Sequence, residues 1–220
     1  SSGTGQGFAT YQADGNGVRL LDAATEQTNL YVGGTANVRL DLTTDTAITG
    51  TALNTLQLEN SSGSTQTVTN SGTSLIPHNG LLFTGTSPIT LTGGTLNANL
   101  DSLNKEAILL VGNTGGTTIG TAITGTNITV GGNGAVTLSG TLTAATYGNG
   151  FIRINNAGTT TLAATSTGAL VINDGTVKLA TGGKLYEANS QSSGTRCYVT
   201  INRRGKLDCN GISPKSNGLT

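Results

Sequence analysis

The chain of 220 residues contains no tryptophan and no methionine, and only three phenylalanines, three prolines and two cysteines. Aromatic residues make up 4% of it and charged residues 10%, against about 25% charged residues in ordinary globular domains. This scarcity argues against an ordinary compact core and also against a charged, disordered tail. The sequence instead favours many short strands of small β-forming residues, separated by glycine and asparagine turns.

An excess of charge of either sign is also absent, because 11 basic residues balance 11 acidic ones. Nucleic-acid binding therefore has no electrostatic basis, and no apolar run approaches the roughly 20 residues of a membrane span. The chain begins with serine and not with methionine, which we interpret as signal-peptide removal, although a chosen start point for expression would look the same. The threonine-, asparagine- and glycine-rich composition is typical of secreted bacterial surface proteins, so we expect an extracellular or cell-surface location.

A short unit, apolar-x-apolar followed by a turn, recurs along most of the chain at a mean interval of about 24 residues. We expect its apolar positions to form one buried ladder. They are Leu56 and Leu58, Leu81 and Phe83, Leu109 and Val111, Ile128 and Val130, Ile152 and Ile154, Leu170 and Ile172, and Val199 and Ile201.

A second unit of the same kind lies between these anchors, as in residues 89–91, 136–138, 177–179 and 207–209. Each repeat therefore carries at least two short strands, which place leucine, isoleucine and valine inward and threonine, glutamine, lysine and arginine outward. Two or three strands per repeat both fit the pattern.

Helical stretches between the strands are absent, which leaves an antiparallel sandwich or a coiled parallel β-helix. The spacing near 24 residues favours an all-β, right-handed parallel β-helix (β-solenoid) with about 24 residues per rung. Threonines would stack on its outside and asparagines would form ladders at its corners. We expect one continuous domain, with residues 1–50 forming an irregular N-terminal cap and first irregular rungs and residues 51–220 forming the solenoid repeats. Within the cap, residues 7–11 and 18–20 have the pattern of strands, and residues 21–26 fit one helical turn.

Several segments resemble the bacterial autotransporter-associated β-strand repeat. They are residues 7–20, 80–96, 134–140, 171–179 and 199–211. The resemblance implies a β-helical passenger displayed outside the cell. The family's translocator domain has no counterpart in the sequence, so a processed passenger, a fragment and a free secreted protein remain alternatives.

Enzymatic parallel β-helices use clustered carboxylates, or a carboxylate beside a cation, so we considered each such group. Asp41 and Asp45 would lie about 13 Å apart along a strand, too far for a glycosidase pair. The other groups are Lys105 with Glu106, and Arg203, Arg204 and Lys206 with Asp208. We interpret all of them as solvated turn and rim charges. We therefore predict no enzyme activity, no catalytic residue, no bound metal and no cofactor.

Sugar binding without catalysis usually needs aromatic platforms, but the tyrosines follow no repeat period, and we interpret them as surface or cap residues. They are Tyr11, Tyr31, Tyr147, Tyr186 and Tyr198. The single histidine, His78, lies in a Pro-His-Asn-Gly turn signature.

Cys197 is in phase with the inward Val199 and Ile201, and Cys209 is in phase with the inward Leu207. A turn at residues 202–205 would bring the two strands to face each other, so we predict a Cys197–Cys209 disulfide that fastens the last rung. Two buried free thiols and an intermolecular bond are the alternatives.

The absence of a chemical site favours a structural role. We expect a self-assembling subunit of a surface fibre or filament, joined by end-to-end or strand-addition contacts. An adhesin passenger that binds glycans or host surfaces is the alternative, and a carbohydrate-active enzyme ranks last.

Overall fold

The computed structural model describes residues 7–11, 18–29, 31, 34–100, 105–144, 150–186 and 198–211. These residues are all-β: 60% of them lie in strands and 2% in helix, the latter being the single 3-10 turn Ala98–Leu100. In the described part of the chain, no helix is long and apolar enough to cross a membrane.

The described strands, in chain order, are β1 (Ala9–Tyr11), β2 (Val18–Leu20), β3 (Asn37–Asp41), β4 (Thr46–Ile48), β5 (Ala52–Leu53), β6 (Thr55–Asn60), β7 (Gln66–Asn70), β8 (Ile76–Pro77), β9 (Leu81–Gly85), β10 (Ile89–Thr92), β11 (Thr95–Asn97), β12 (Glu106–Val111), β13 (Thr117–Ile119), β14 (Ala122–Gly125), β15 (Asn127–Gly132), β16 (Val136–Leu138), β17 (Leu142–Ala144), β18 (Phe151–Leu162), β19 (Thr165–Thr167), β20 (Ala169–Leu179), β21 (Lys184–Tyr186) and β22 (Val199–Asp208).

The main sheet has 13 strands, all paired in parallel, and curls into a half-barrel. One arm runs β3-β6-β9-β12-β15 and the other runs β4-β7-β10-β13-β16. The long strand β18 joins the arms, because its first half pairs with β15 and its second half with β16. Strands β20 and β22 then extend both arms. The chain thus returns to the first arm after about 18 to 29 residues, and we call each such passage a repeat.

A second parallel sheet, β11-β14-β17-β19-β21, receives one strand from each later repeat. The pair β5-β8 plays the same part in the earlier repeats, and an isolated bridge between Leu75 and Leu96 connects the two groups. Most repeats therefore contribute three strand segments, of which the third is only two to four residues long.

The core is a stack of apolar side chains from the inward positions of successive strands. Of the fourteen predicted ladder residues, thirteen are at most 1% exposed, and Ile201 is partly buried against the same cluster. The observed strand register differs at one step from the pairing of repeats that the sequence predicts. Leu109 lies opposite Leu81 and Val130, and Ile128 lies opposite Ala107. The slip is two residues, so the inward direction of every side chain is preserved.

Buried asparagines stabilise the corner between the two arms. Asn60, Asn113 and Asn156 are each fully buried, and their side-chain amides donate to backbone carbonyls across the bend. Gly85 at the same corner has φ +104°, and a Cβ there would lie 2.1 Å from the carbonyl oxygen of Asn60. The bend therefore requires a glycine. It also requires a side-chain amide that donates to backbone carbonyls at the bend, in place of the hydrogen bonds that strand pairing would provide.

Ladders of identical side chains link neighbouring repeats, as the sequence predicts. Asn202 donates to Asn173 at 2.5 Å, and Asn173 donates to Asn155 at 2.6 Å. Five threonines on the outer face of the second arm are also in register across adjacent strands. They are Thr67, Thr90, Thr118, Thr137 and Thr161.

The N-terminal part contains an antiparallel β1–β2 hairpin and a single turn closed by a bond from the Glu26 amide to the Asp22 carbonyl. Thr28 then bridges to Val38 in β3. Parallel pairing of the main sheet begins at Asn37, within the segment of irregular first rungs.

The turn predicted at residues 202–205 is wrong. Val199–Asp208 is a single strand that follows β20 through a bulge, where Ile201 pairs with Ile172 and Arg204 with Asp174. Hydrogen bonding to the neighbouring strand keeps this polar, glycine-containing segment extended.

Candidate assembly site

Strand β22 forms an edge of the main sheet. It pairs with β20 on one side, and no described residue pairs with its other side. Ile201 and Leu207 occupy inward positions, but they are only partly buried, whereas their partners Ile172 and Val177 are fully buried. Within the described part of the chain, an unpaired backbone edge and partly exposed apolar side chains therefore coincide on this strand. Both features promote strand addition.

The exposed side of β22 is mainly basic. Arg203, Arg204 and Lys206 are exposed, with one carboxylate, Asp208, beside them. Arg204 lies 3.5 Å from the Asp174 carboxylate of the preceding repeat, yet its side chain is 77% exposed. The guanidinium therefore remains available to a second anion on the open side of the strand.

The opposite edge, at β3, is partly covered. The Thr28 amide donates to the Asn37 carbonyl, and the Arg39 amide donates to the Thr28 carbonyl, both at 2.9 Å. The Asn37 side chain also donates to the Glu26 carbonyl at 3.2 Å. Hydrogen bonds to Arg19 and to the Asp22 amide hold the pKa of Glu26 at about 2, so this carboxylate stays ionised. The edge of β4, by contrast, has no partner among the described residues.

A shallow groove of about 330 Å³ lies on the outer face of the second arm. Pro88 and the stacked threonines Thr90, Thr118, Thr137 and Thr161 line it, and no charged or aromatic side chain is among its lining residues. The groove offers hydroxyl and methyl groups in rows about 4.8 Å apart.

The carboxylates considered for catalysis are dispersed and already engaged. Asp41 pairs with Arg39 at 3.1 Å. Asp45 accepts the Thr67 amide at 2.7 Å and so caps the start of β7. Glu106 accepts the Thr129 hydroxyl at 2.5 Å, and its neighbour Lys105 is exposed. No group of three or more residues suited to holding a metal occurs in the part of the chain that the structure describes.

Ion pairs between side chains of different repeats are a feature that was not predicted from the sequence. Arg39 reaches Glu59 of the next repeat at 2.7 Å. Arg153 lies 3.8 Å from Glu106, which is two repeats away across β15, and 4.9 Å from the centre of the Phe151 ring. Opposite charges at outward positions of successive repeats are the signal that could have identified them.

The cysteine prediction has no support in the structure. Cys209 is a free, partly exposed cysteine, and Cys197 lies outside the described residues. The turn on which their face-to-face placement depended is replaced by the continuous strand β22.

The tyrosines form no platform among the residues described. Tyr31 is partly buried against the core, and this burial raises its pKa to about 12. Tyr198 is 50% exposed next to β22. Tyr11 and Tyr186 lie at the ends of β1 and β21, and Tyr147 lies outside the described residues.

His78 is half-buried in the turn after β8, where its backbone amide donates to the Leu53 carbonyl at 2.9 Å.

No protein-family model, no curated protein and no solved structure matches this chain.

Proposed function

We propose that this chain is an extracellular, passenger-type structural protein, a right-handed parallel β-solenoid whose copies assemble end to end through β22. The parallel pairing of each strand with the equivalent strand of the next repeat supports the solenoid. Right-handed connections between parallel strands are the strong general rule. The resemblance to autotransporter-associated repeats supports display outside the cell.

The open edge of β22 is the observation that carries the assembly. It is a ten-residue strand, longer than the usual protected edge, and it presents inward apolar side chains that a further repeat would cover. Each added copy would extend both arms of the main sheet. Contact between the unlike ends of successive copies produces an open filament, unless the rotation from one copy to the next brings them round into a closed ring.

The test is a change that blocks stacking but leaves the single chain folded. In Leu207→Lys, an ammonium group occupies an inward position that packs against the core but is already partly exposed. A thermal melt of the monomeric variant checks that the single chain stays folded. Thr200→Lys is the matched control, because it adds the same charge at an exposed, outward position of the same strand.

Light scattering and electron microscopy should show filaments for the parent and for Thr200→Lys, and dispersed monomers for Leu207→Lys. A parent that stays monomeric over a wide range of salt and protein concentration contradicts the proposal. Filaments of undiminished length from Leu207→Lys contradict the role of β22.

The threonine-lined groove favours a second candidate, an adhesin that binds a neutral glycan along the second arm. Hydroxyl groups suit neutral sugars, and the uncharged lining disfavours acidic ones. Glycan-array binding that is lost in Thr118→Tyr, which fills the groove, and kept in Thr200→Tyr would support it. Equal signals from both variants would contradict it.

A further inference from the structure

We propose that β22 of one copy lies in parallel on residues 38–44 of a second copy, with Arg204 opposite Asp41. This inference rests on the proposed function and specifies the partner, the register and the polarity of its junction. The two ends match in the spacing of their inward columns, in charge and in the availability of hydrogen-bonding edges.

The first match is the length of the bend. The strand pairing aligns one inward residue from each successive strand in a column, which runs from Ile201 in β22 to Val38 in β3. A second inward column runs from Leu207 to Gln66. Extending the register in which Thr46 pairs with Val68 by two residues would bring this column to Thr44, an exposed residue in the bend before β4.

The number of residues between the two columns varies among repeats. It is ten from Leu56 to Gln66 and eight from Leu81 to Ile89, but it is six both from Ile201 to Leu207 and from Val38 to Thr44. The last strand and the first repeat therefore fit residue by residue, without a bulge.

The second match is electrostatic. In this register Arg204 lies opposite Asp41. Asp41 already contacts Arg39 at 3.1 Å, but its side chain is 70% exposed and that of Arg204 is 77% exposed, so the carboxylate can accept a second cation. The junction would thus repeat the ion pairs that already join neighbouring repeats. Lys206 would lie over Thr43, diagonally between Asp41 and Asp45, and would offset the like charges of Asp208 and Asp45.

The charges also disfavour the main alternative geometry. Two β22 strands paired with each other in antiparallel fashion would bring two sets of Arg203, Arg204 and Lys206 together. Like charges placed opposite one another oppose association, so the basic edge selects an unlike, acidic end.

The receiving edge is accessible in two parts. The edge of β4 has no partner among the described residues, so pairing can start there. The incoming strand then takes over the Asn37 carbonyl and the Arg39 amide from Thr28, which holds the β3 edge by those two backbone hydrogen bonds. Thr28 is thus a removable cover.

A charge-exchange experiment tests the junction in the full-length chain. Arg204→Glu alone places two acids opposite each other, and Asp41→Arg alone places two bases opposite each other. Each variant should raise the concentration needed for assembly by about tenfold. An equimolar mixture should recover assembly to within about threefold of the parent, because unlike ends then alternate.

Lys105→Glu is the matched control, because it reverses an exposed charge far from either end, and it should assemble like the parent. If the parent forms filaments and both variants assemble equally well alone, or the mixture gains nothing, this junction is wrong while end-to-end assembly stands. A parent that does not assemble overturns both proposals.

Discussion

Asn113 provides a stringent test of how the corners are stabilised. Its side chain is fully buried, and its amide donates to the Thr84 carbonyl at 3.1 Å and to the Ser87 carbonyl at 2.8 Å. Asn113→Ala removes both bonds and leaves two buried carbonyls with one donor fewer each. At about 1–3 kcal/mol for each buried carbonyl, the two losses sum to about 2–6 kcal/mol. Alanine also removes the buried Asn113 Oδ1, which has no hydrogen-bond partner among the described residues, so the free energy of unfolding should fall by about 1–4 kcal/mol.

Two further variants separate the hydrogen bonds from the lost volume. Asn113→Asp keeps the shape but replaces the donor with an acceptor, so it should cost at least as much as alanine. Asn133→Ala changes an exposed asparagine one repeat further on and should cost less than about 0.5 kcal/mol.

Urea unfolding followed by circular dichroism measures all three. With a slope of about 2–3 kcal/mol per molar urea for a chain of this size, Asn113→Ala should lower the midpoint by about 0.3–2 M. Equal midpoints for Asn113→Ala and Asn133→Ala would refute the assignment of the corner amide as a structural hydrogen-bond donor.

Other predictions concern the core, the bend and the N-terminal turn. Phe83→Ala should lower the free energy of unfolding by about 3–5 kcal/mol in the same assay, because the ring is fully buried, and a loss below about 1 kcal/mol contradicts a close-packed ladder. Gly85→Ala should destabilise by about 1–3 kcal/mol or more, since a side chain is strained at φ +104° and would overlap a carbonyl; an unchanged midpoint argues against the tight bend. The Glu26 carboxyl should titrate near pH 2 by NMR, so its contact with Arg19 is present above its ordinary pKa of 4.5 and lost only as the pH falls through about 2. Arg19→Ala should move that midpoint back towards 4.5, and a native midpoint already near 4.5 contradicts the contact. The disulfide predicted from the sequence would leave no thiol to alkylate in denatured, unreduced protein, and two alkylated thiols would contradict it.

The sequence predicts the inward and outward directions well because β alternation has a period of two and does not depend on the length of the corners. Leu109 illustrates this: its assigned partner is two residues away from the observed one, yet its side chain points inward in both registers. The register itself depends on how many residues each bend absorbs, which is decided by buried amides such as Asn113 and by glycines such as Gly85.

The site was less accessible to prediction for a related reason. Residues 202–205 have the composition of a turn, but hydrogen bonds from β20 hold them as part of an extended edge strand. Pairing across the sheet outweighs local turn preference there. The position of Arg204 beside Asp174, and so the basic character of the edge, follows from that pairing and not from any sequence motif.

The variable corners have an evolutionary consequence. Between the two inward columns the chain uses ten residues after Leu56 but only six after Val130, while the strands on both sides remain in register. Residues gained or lost at this bend leave the buried ladder unmoved and change only the solvent-facing loop, whose closure costs little more as it lengthens. The exposed residues 61–65, which follow the buried Asn60, are accordingly the place where we expect an inserted peptide to be tolerated best.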